Sequence, residues 1–384
     1  MERHYFDWAA SSPPIFSVRE KLDISVFGNP SSKHSEGRAA RAVLDKAREK
    51  CAGVLNVPPD NLYWTSGGTE SNAIALFSML PRPESAKKRI LVSNVEHPSV
   101  AENCAILKKF GFTAGSINVS QNGAVDEQSM EKALQKYPDT AFAAVMFVNN
   151  ETGAISDIPA LARKIRDCTG ERIHIHSDMV QALGKIPIDL SNCDVDSASF
   201  SAHKLGGPRG IGLLYLKKPA ASFCRGGGQE GGVRSGTENT EGAFLFAECV
   251  EKYVCDLQNN YEAAQKRMSY LIRAFKQLER CSVIPFCRDE DRGDKYKNFS
   301  PYIVQLAFKN IPGEVMARLL DDAGFAVSTG SACSSNKKER PVLDAMGIDK
   351  KTSFEAVRIS QGWSTTLEEI DLLIDTVKSI LKLY

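Results

Sequence analysis

Short apolar runs alternate along this chain with polar, glycine-rich loops, and then with longer stretches whose apolar residues recur every three or four positions. Leu62-Tyr63-Trp64-Thr65 runs into Ser66-Gly67-Gly68-Thr69-Glu70 and then into an apolar-periodic stretch from Ala73 to Leu80. Arg89 to Val92 leads through Val95-Glu96-His97-Pro98 to a helical pattern from Val100 to Phe110. Ala141 to Val148 is almost continuously apolar, and Asn149-Asn150-Glu151-Thr152-Gly153 separates it from a helix around Pro159 to Cys168. Arg172 to His176 ends at Asp178. Continuous apolar strands alternating with helices predict an α/β fold with a mostly parallel sheet covered on both faces. Such sheets bind ligands at the carboxyl ends of their strands. The polar loops all fall at that edge, which is a reason to treat them as one site.

The character changes after about residue 245. Ala247 to Leu278 reads as a long amphipathic helix or a helix pair, followed by strands at Ser282 to Pro285 and Tyr302 to Phe308 and a helix from Pro312 to Ala323. The last helix is predicted to start near Trp363-Ser364-Thr365-Thr366, with Glu368 or Glu369 placed for a capping box. The expected organisation is a large domain over residues 15–245 and a smaller α+β domain formed by residues 1–14 and 246–384.

The 384 residues carry 48 basic and 47 acidic side chains, a net charge of +1. This balance gives no electrostatic reason to expect nucleic acid or an anionic membrane as a partner. No run approaches the roughly 20 apolar residues that span a bilayer, and Met1 to Pro14 lacks an apolar signal core. A cytoplasmic location is the expectation. The 10 cysteines are scattered without a C-x-x-C pair, so they are expected to be mostly reduced core residues, with no metal site.

Several residues carry possible chemistry. Lys204 stands in Ser199-Phe200-Ser201-Ala202-His203-Lys204-Leu205-Gly206-Gly207, with donors at Ser201 and His203 beside its amine. A lysine amine forms an imine with an aldehyde cofactor once it is deprotonated. Asp178 at a strand end would pair with a protonated pyridine nitrogen, and Gln181 would donate to a ring oxygen. Ser66-Gly67-Gly68-Thr69 opens a helix, where backbone N–H groups and the macrodipole favour an anion. His97 would stack on a ring and shuttle protons. Arg358, alone in the apolar Ala356 to Ser360, has the planar fork that grips a carboxylate at two points. Cys333 sits in Ser328-Thr329-Gly330-Ser331-Ala332-Cys333-Ser334, too small and polar for packing, with Lys337, Lys338 and Arg340 following to lower its pKa. Each of these has an ordinary structural reading as well: a surface lysine, a capping carboxylate, a turn glycine, an exposed thiol.

Taken together, the blocks resemble the cysteine desulfurases, class V members of the fold-type I pyridoxal 5'-phosphate enzymes. The resemblance runs from Tyr5-Phe6-Asp7-Trp8-Ala9-Ala10 through Gly28-Asn29-Pro30, Thr65 to Asn72, Glu96-His97, Val148 to Gly153, Asp178 to Gln181, Ser201 to Lys204, Gly226 to Glu230 and Arg234 to Thr237 to Gly330-Ser331-Ala332-Cys333. It implies roles residue by residue. Lys204 holds the cofactor, Asp178 pairs with the pyridine nitrogen, Gln181 reaches the ring oxygen and His97 stacks as the acid–base residue. Gly68, Thr69, Ser201 and His203 bind phosphate, and Thr237 reaches the phosphate of a neighbouring subunit, which implies a homodimer. Asn150 and Arg358 contact the substrate L-cysteine, Asn150 also touching the cofactor, with Asn29 as a helper. Cys333 takes the sulfur as a persulfide, alanine leaves, and the sulfur passes to an acceptor or iron–sulfur scaffold protein.

The long spacing between Cys333 and Pro341-Val342-Leu343 resembles the long-loop group, related to the nitrogen-fixation and iron–sulfur housekeeping enzymes. Selenocysteine lyases and aminotransferases of the same class would share Lys204, Asp178 and His97. Cys333 is the feature that separates them.

Overall fold

The chain enters through a two-residue strand, β1 (His4–Tyr5), and after the helix Ser35–Leu55 lays down its main sheet. The strands are β2 (Leu62–Thr65), β3 (Arg89–Ser93), β4 (Thr113–Ile117), β5 (Thr140–Ala144), β6 (His174–Asp178), β7 (Ser197–Ser201) and β8 (Gly212–Leu216). They are hydrogen-bonded in the order β2-β8-β7-β6-β5-β3-β4. The neighbours from β4 to β7 run parallel, and β8 is antiparallel to both β7 and β2. The structure is a computed structural model and describes residues 2–81, 89–220, 223–288, 296–330 and 340–383.

The two-sided burial read from the sequence is explained by strand periodicity, since successive side chains point to opposite faces. Along β8, Leu213 and Tyr215 enter one core while Leu214 and Leu216 enter the other. Every residue of β5 is buried. The apolar run that begins there continues to Val148. The regular strand ends at Ala144, but the Val145 and Phe147 N–H groups still donate to the carbonyls of His176 and Asp178 at 3.1 and 3.0 Å before the loop at Asn149. A buried ion pair ties the first long helix to this sheet. Arg48 donates to both carboxylate oxygens of Glu230, at 2.8 and 2.6 Å, and Glu230 also accepts from the Trp64 N–H at 2.7 Å.

The C-terminal part contributes β9 (Cys281–Ile284), β10 (Ile303–Phe308), β11 (Phe325–Ala326) and β12 (Ala356–Ser360). An antiparallel sheet runs β12-β10-β9, while β11 pairs in parallel with β1. Phe6 packs in the same core as Phe308, Ile359 and Ile374. The amphipathic stretch before β9 is a helix pair, Thr240–Cys255 and Leu257–Lys276, broken at Asp256. The final helix, Leu367–Leu383, is preceded by the predicted capping box, with Glu369 as its carboxylate. The Thr366 N–H donates to Glu369 Oε2 at 2.9 Å, and the Glu369 N–H donates to Thr366 Oγ1 at 3.2 Å.

The cysteine expectation needs correction. Of the nine cysteines described, all free, Cys51, Cys104, Cys193 and Cys249 are buried and Cys281 is half-buried, whereas Cys168, Cys224, Cys255 and Cys287 are exposed. Cys255 closes its helix and Cys168 lies in the last turn of Ile158–Thr169, positions that face outward. No described helix is long and apolar enough to cross a membrane.

Candidate active site

A cavity of about 570 Å³ opens at the carboxyl edge of the main sheet. Its wall includes Gly68, Thr69, His97, Asn150, Asp178, Gln181, Ser201, His203, Lys204 and Arg358. The local structure explains the convergence. Asp178 ends β6, Ser201 ends β7, and His203 and Lys204 lie in the 3₁₀ turn that follows. Gly68 opens the helix after β2, and His97 caps the helix after β3. Arg358 comes from β12 of the smaller sheet, so the cavity lies between the two sheets. Asn29 and Thr237 are exposed and do not line the cavity. Cys333 lies outside the described residues. Gly330 and Pro341 with Val342, on either side of that segment, do line it.

Lys204 Nζ donates to the backbone carbonyls of Ala9 and Ala10, at 2.6 and 2.8 Å. Those carbonyls belong to the N-terminal segment. It is held across the site by Ser12 Oγ, which donates to the Lys204 carbonyl at 2.7 Å, and by the Ala9 N–H, which donates to Ser360 Oγ at 2.9 Å. Gln181 Nε2 donates to the same Ala9 carbonyl at 2.9 Å, while its Oε1 accepts from Lys185 Nζ at 2.8 Å. Lys185 therefore sets the polarity of the Gln181 amide, turning its donor end toward the site. Burial, then the charges of Lys204 and Arg358, pulls Lys185 down to about 7.

Asp178 Oδ1 accepts from the Val180 N–H at 3.0 Å, and Oδ2 accepts from Asn72 Nδ2 at 2.8 Å. The His97 Nδ1 accepts from the Ser99 N–H at 3.1 Å and lies 2.8 Å from Ser99 Oγ. Burial holds His97 below the usual imidazole range, with Asp178 opposing and Lys204 adding to the effect. His203 falls to about 3 through burial and then the neighbouring charges of Lys204, Arg209, Lys185 and His97. That concentration of positive charge suits an anionic group.

Glu96 lines the cavity and is nearly fully buried. Its Oε1 accepts from Ser93 Oγ at 2.5 Å and from the Met146 N–H at 2.6 Å, while Oε2 has no hydrogen-bond partner. Burial, which outweighs those two hydrogen bonds, pushes its carboxyl up to about 8, and Asp178 adds to the rise.

The expected carboxylate fork of Arg358 has a resident partner. Nη2 donates to Asp7 Oδ1 at 2.8 Å, and Nη1 donates to the carbonyls of Asn150 and Gly330 at 2.8 and 3.2 Å. Nε has no partner. Arg340, expected to act on Cys333, follows the segment that lies outside the described residues. Its guanidinium turns inward, 3.6 Å from Glu151 Oε2, and donates to the carbonyls of Ser353 and Ala356.

No motif in the sequence singles out Asn72, Lys185, Asp7 or Glu96 as an individual residue. Asn72, Asp7 and Glu96 stood inside quoted blocks. Lys185 had a usable signal, lying four residues after Gln181 in an otherwise apolar stretch.

The residues present fit pyridoxal phosphate. The Gly68 helix has no side-chain cap at its start, leaving its first turn available to a phosphate. Asp178 presents a carboxylate to the cavity from the end of β6, and Lys204 presents its amine from the end of β7.

A family model described as Aminotransferase class-V matches residues 4–373. A cysteine desulfurase IscS from Dictyoglomus turgidum is 34% identical over 98% of this chain and 94% of its own. A NifS/IcsS protein homolog from Lactobacillus delbrueckii subsp. bulgaricus is 36% identical over 96% and 95%. Among solved structures, a NifS-like protein superposes with a TM-score of 0.90 at 33% identity, covering 100% of both chains.

Proposed function

The chain belongs to the class-V aminotransferase family and is a pyridoxal-phosphate-dependent cysteine desulfurase, and from that premise we propose how its residues divide the work. When bound, pyridoxal phosphate supplies an aldehyde for amines and an electron sink for the substrate's α-carbon. Lys204 Nζ would hold the cofactor, and as a free amine it would take the α-proton. Asp178 keeps a proton on the pyridine nitrogen, and the Gln181 amide N–H donates to the ring oxygen. Gly68, Thr69, Ser201 and His203 bind the phosphate, and His97 covers the ring face. Arg358 and Asn150 orient the α-carboxylate of L-cysteine, with Asn29 assisting.

Cys333, as a thiolate, attacks the substrate Sγ. The new S–S bond forms as the substrate's Cβ–Sγ bond breaks, and protonation at Cβ leaves alanine and a persulfide on Cys333. A tethered thiolate gains an effective molarity that no free thiol reaches. The persulfide then passes its sulfur to an acceptor or iron–sulfur scaffold protein. Thr237, exposed on this chain, serves the phosphate of a second copy in a homodimer, and the setting is cytoplasmic.

The observation that supports this division is that a single cavity is lined by Lys204, Asp178, His97 and Arg358 and also by Gly330 and Pro341, which flank the Cys333 segment. The test is to purify the protein with its cofactor, supply cysteine and a reductant, and measure alanine and sulfide. Cys333→Ser should keep the cofactor absorbance and lose alanine production. Equal alanine from that variant would overturn the role of Cys333.

A further inference from the structure

Beneath the cavity runs a buried chain of hydrogen bonds that the division of roles above does not use. Asn72 is its centre. Its Nδ2 donates both to Asp178 Oδ2 and to Ser99 Oγ, each at 2.8 Å. Its Oδ1 faces His176 Nε2 at 2.9 Å. His176 Nδ1 lies 2.8 Å from Ser197 Oγ, and His174 Nε2 lies 2.7 Å from that same hydroxyl. Asn72, Ser99, Asp178, His176 and Ser197 are all more than nine-tenths buried.

The polarity of this chain follows from donors and acceptors alone. The Asp178 carboxylate only accepts, so it fixes the Asn72 amide with Nδ2 toward it and Oδ1 toward His176. Oδ1 only accepts, so the His176 proton sits on Nε2. His176 is neutral, its pKa pulled to about 3 by burial and then by His174. Its Nδ1 therefore accepts, and the Ser197 hydroxyl donates to it. That hydroxyl in turn accepts from His174 Nε2. At the other end, the Ser99 N–H donates to His97 Nδ1, which therefore carries no proton, so the Ser99 hydroxyl that accepts from Asn72 turns its own proton to that nitrogen.

We propose that Asn72 is the positioning residue that couples the two cofactor-facing groups, through a one-way relay from His174 and Ser197 by way of His176. The relay holds Asp178 as the hydrogen-bonded anion and fixes His97 as the tautomer with its proton on Nε2. His97 in its neutral form thus meets the reacting groups as a donor at Nε2, not as an acceptor. The inference rests on the reading of Asp178 and His97 as neighbours of the cofactor.

The test is nitrogen NMR of the holoenzyme labelled at histidine, with His97 assigned by loss of its signals in His97→Asn. The wild type should show a protonated Nε2 and an accepting Nδ1 at His97. Asn72→Ala should raise the population with the proton on Nδ1 by roughly fivefold, the worth of one neutral hydrogen bond. His176→Leu should reproduce that change, and His176→Gln, which keeps a donor and an acceptor, should restore the wild-type spectrum. A proton on Nδ1 of wild-type His97 would overturn the relay. So would a His97 spectrum unmoved by Asn72→Ala. If His176→Leu does not fold, Asn72→Ala against His176→Gln still decides. A protein that binds no cofactor at all would instead sink the reading on which the inference rests.

Discussion

Replacing Glu96 by Gln should change how stability depends on pH, and the direction can be worked out from the site. Glu96 is 9% exposed, and its carboxyl titrates near 8 because burial disfavours its charged form. In the unfolded chain it titrates near 4.3. Between those values the folded protein keeps a proton that the unfolded chain has released. The stability Glu96 contributes is therefore fully present below about pH 4.3 and is lost as pH rises toward 8. A gap of that size is worth on the order of 5 kcal/mol, with solvent penetration and relaxation bringing the realised value lower. Gln keeps the oxygen that accepts from Ser93 and Met146 but does not titrate. The assay is thermal unfolding of wild type and Glu96→Gln from pH 5 to pH 9. The midpoint of the variant should gain on the wild type by several degrees between pH 5 and pH 8 and then level off. A difference that stays constant across the range, or that shrinks as pH rises, would refute the reasoning.

Other perturbations have equally definite outcomes. Arg358→Gln removes the guanidinium proposed to orient the substrate carboxylate and should lower kcat/KM for cysteine by about 10 to 10², at about 1.5–3 kcal/mol for one charge-assisted bond, with the cofactor absorbance retained. Lys185→Met removes a lysine whose folded pKa is pulled to about 7, so the rise in wild-type stability between pH 7 and pH 10 should flatten in unfolding scans of the variant. Glu230→Gln breaks the buried pair with Arg48 and should cost about 3–5 kcal/mol of stability, read as a lowered denaturation midpoint.

Much of the architecture was legible because strand and helix leave different periodicities in sequence. The continuous apolar runs at β3 and β5 and the loops after them located the sheet and its ligand-binding edge. Where periodicity said nothing, the reading stopped short. The run through Val148 did not reveal that the regular strand ends at Ala144, because burial and backbone hydrogen bonds to β6 both continue past it to Phe147. The break at Asp256 between two helices left no change in apolar spacing. The residues gathered at the cavity were legible as motifs, but their partners were not. Asp7 meets Arg358 across 351 positions, and Asn72 meets Asp178 across 106. Such contacts depend on how β6, β12 and the first helical turn are placed against one another. Local pattern carries no trace of that placement. Arg340 shows the same limit: its ion pair joins it to Glu151, far away in the chain.

The central claim is that sulfur leaves cysteine as a persulfide on Cys333. The most direct measurement is mass analysis of the Cys333 peptide after one turnover of the holoenzyme with cysteine and no reductant. The account predicts the gain of one sulfur atom on that peptide, removable by a thiol, with alanine formed in equal amount and neither product from Lys204→Ala. Alanine formation with an unmodified Cys333 peptide, the sulfur appearing only as free sulfide, would contradict it.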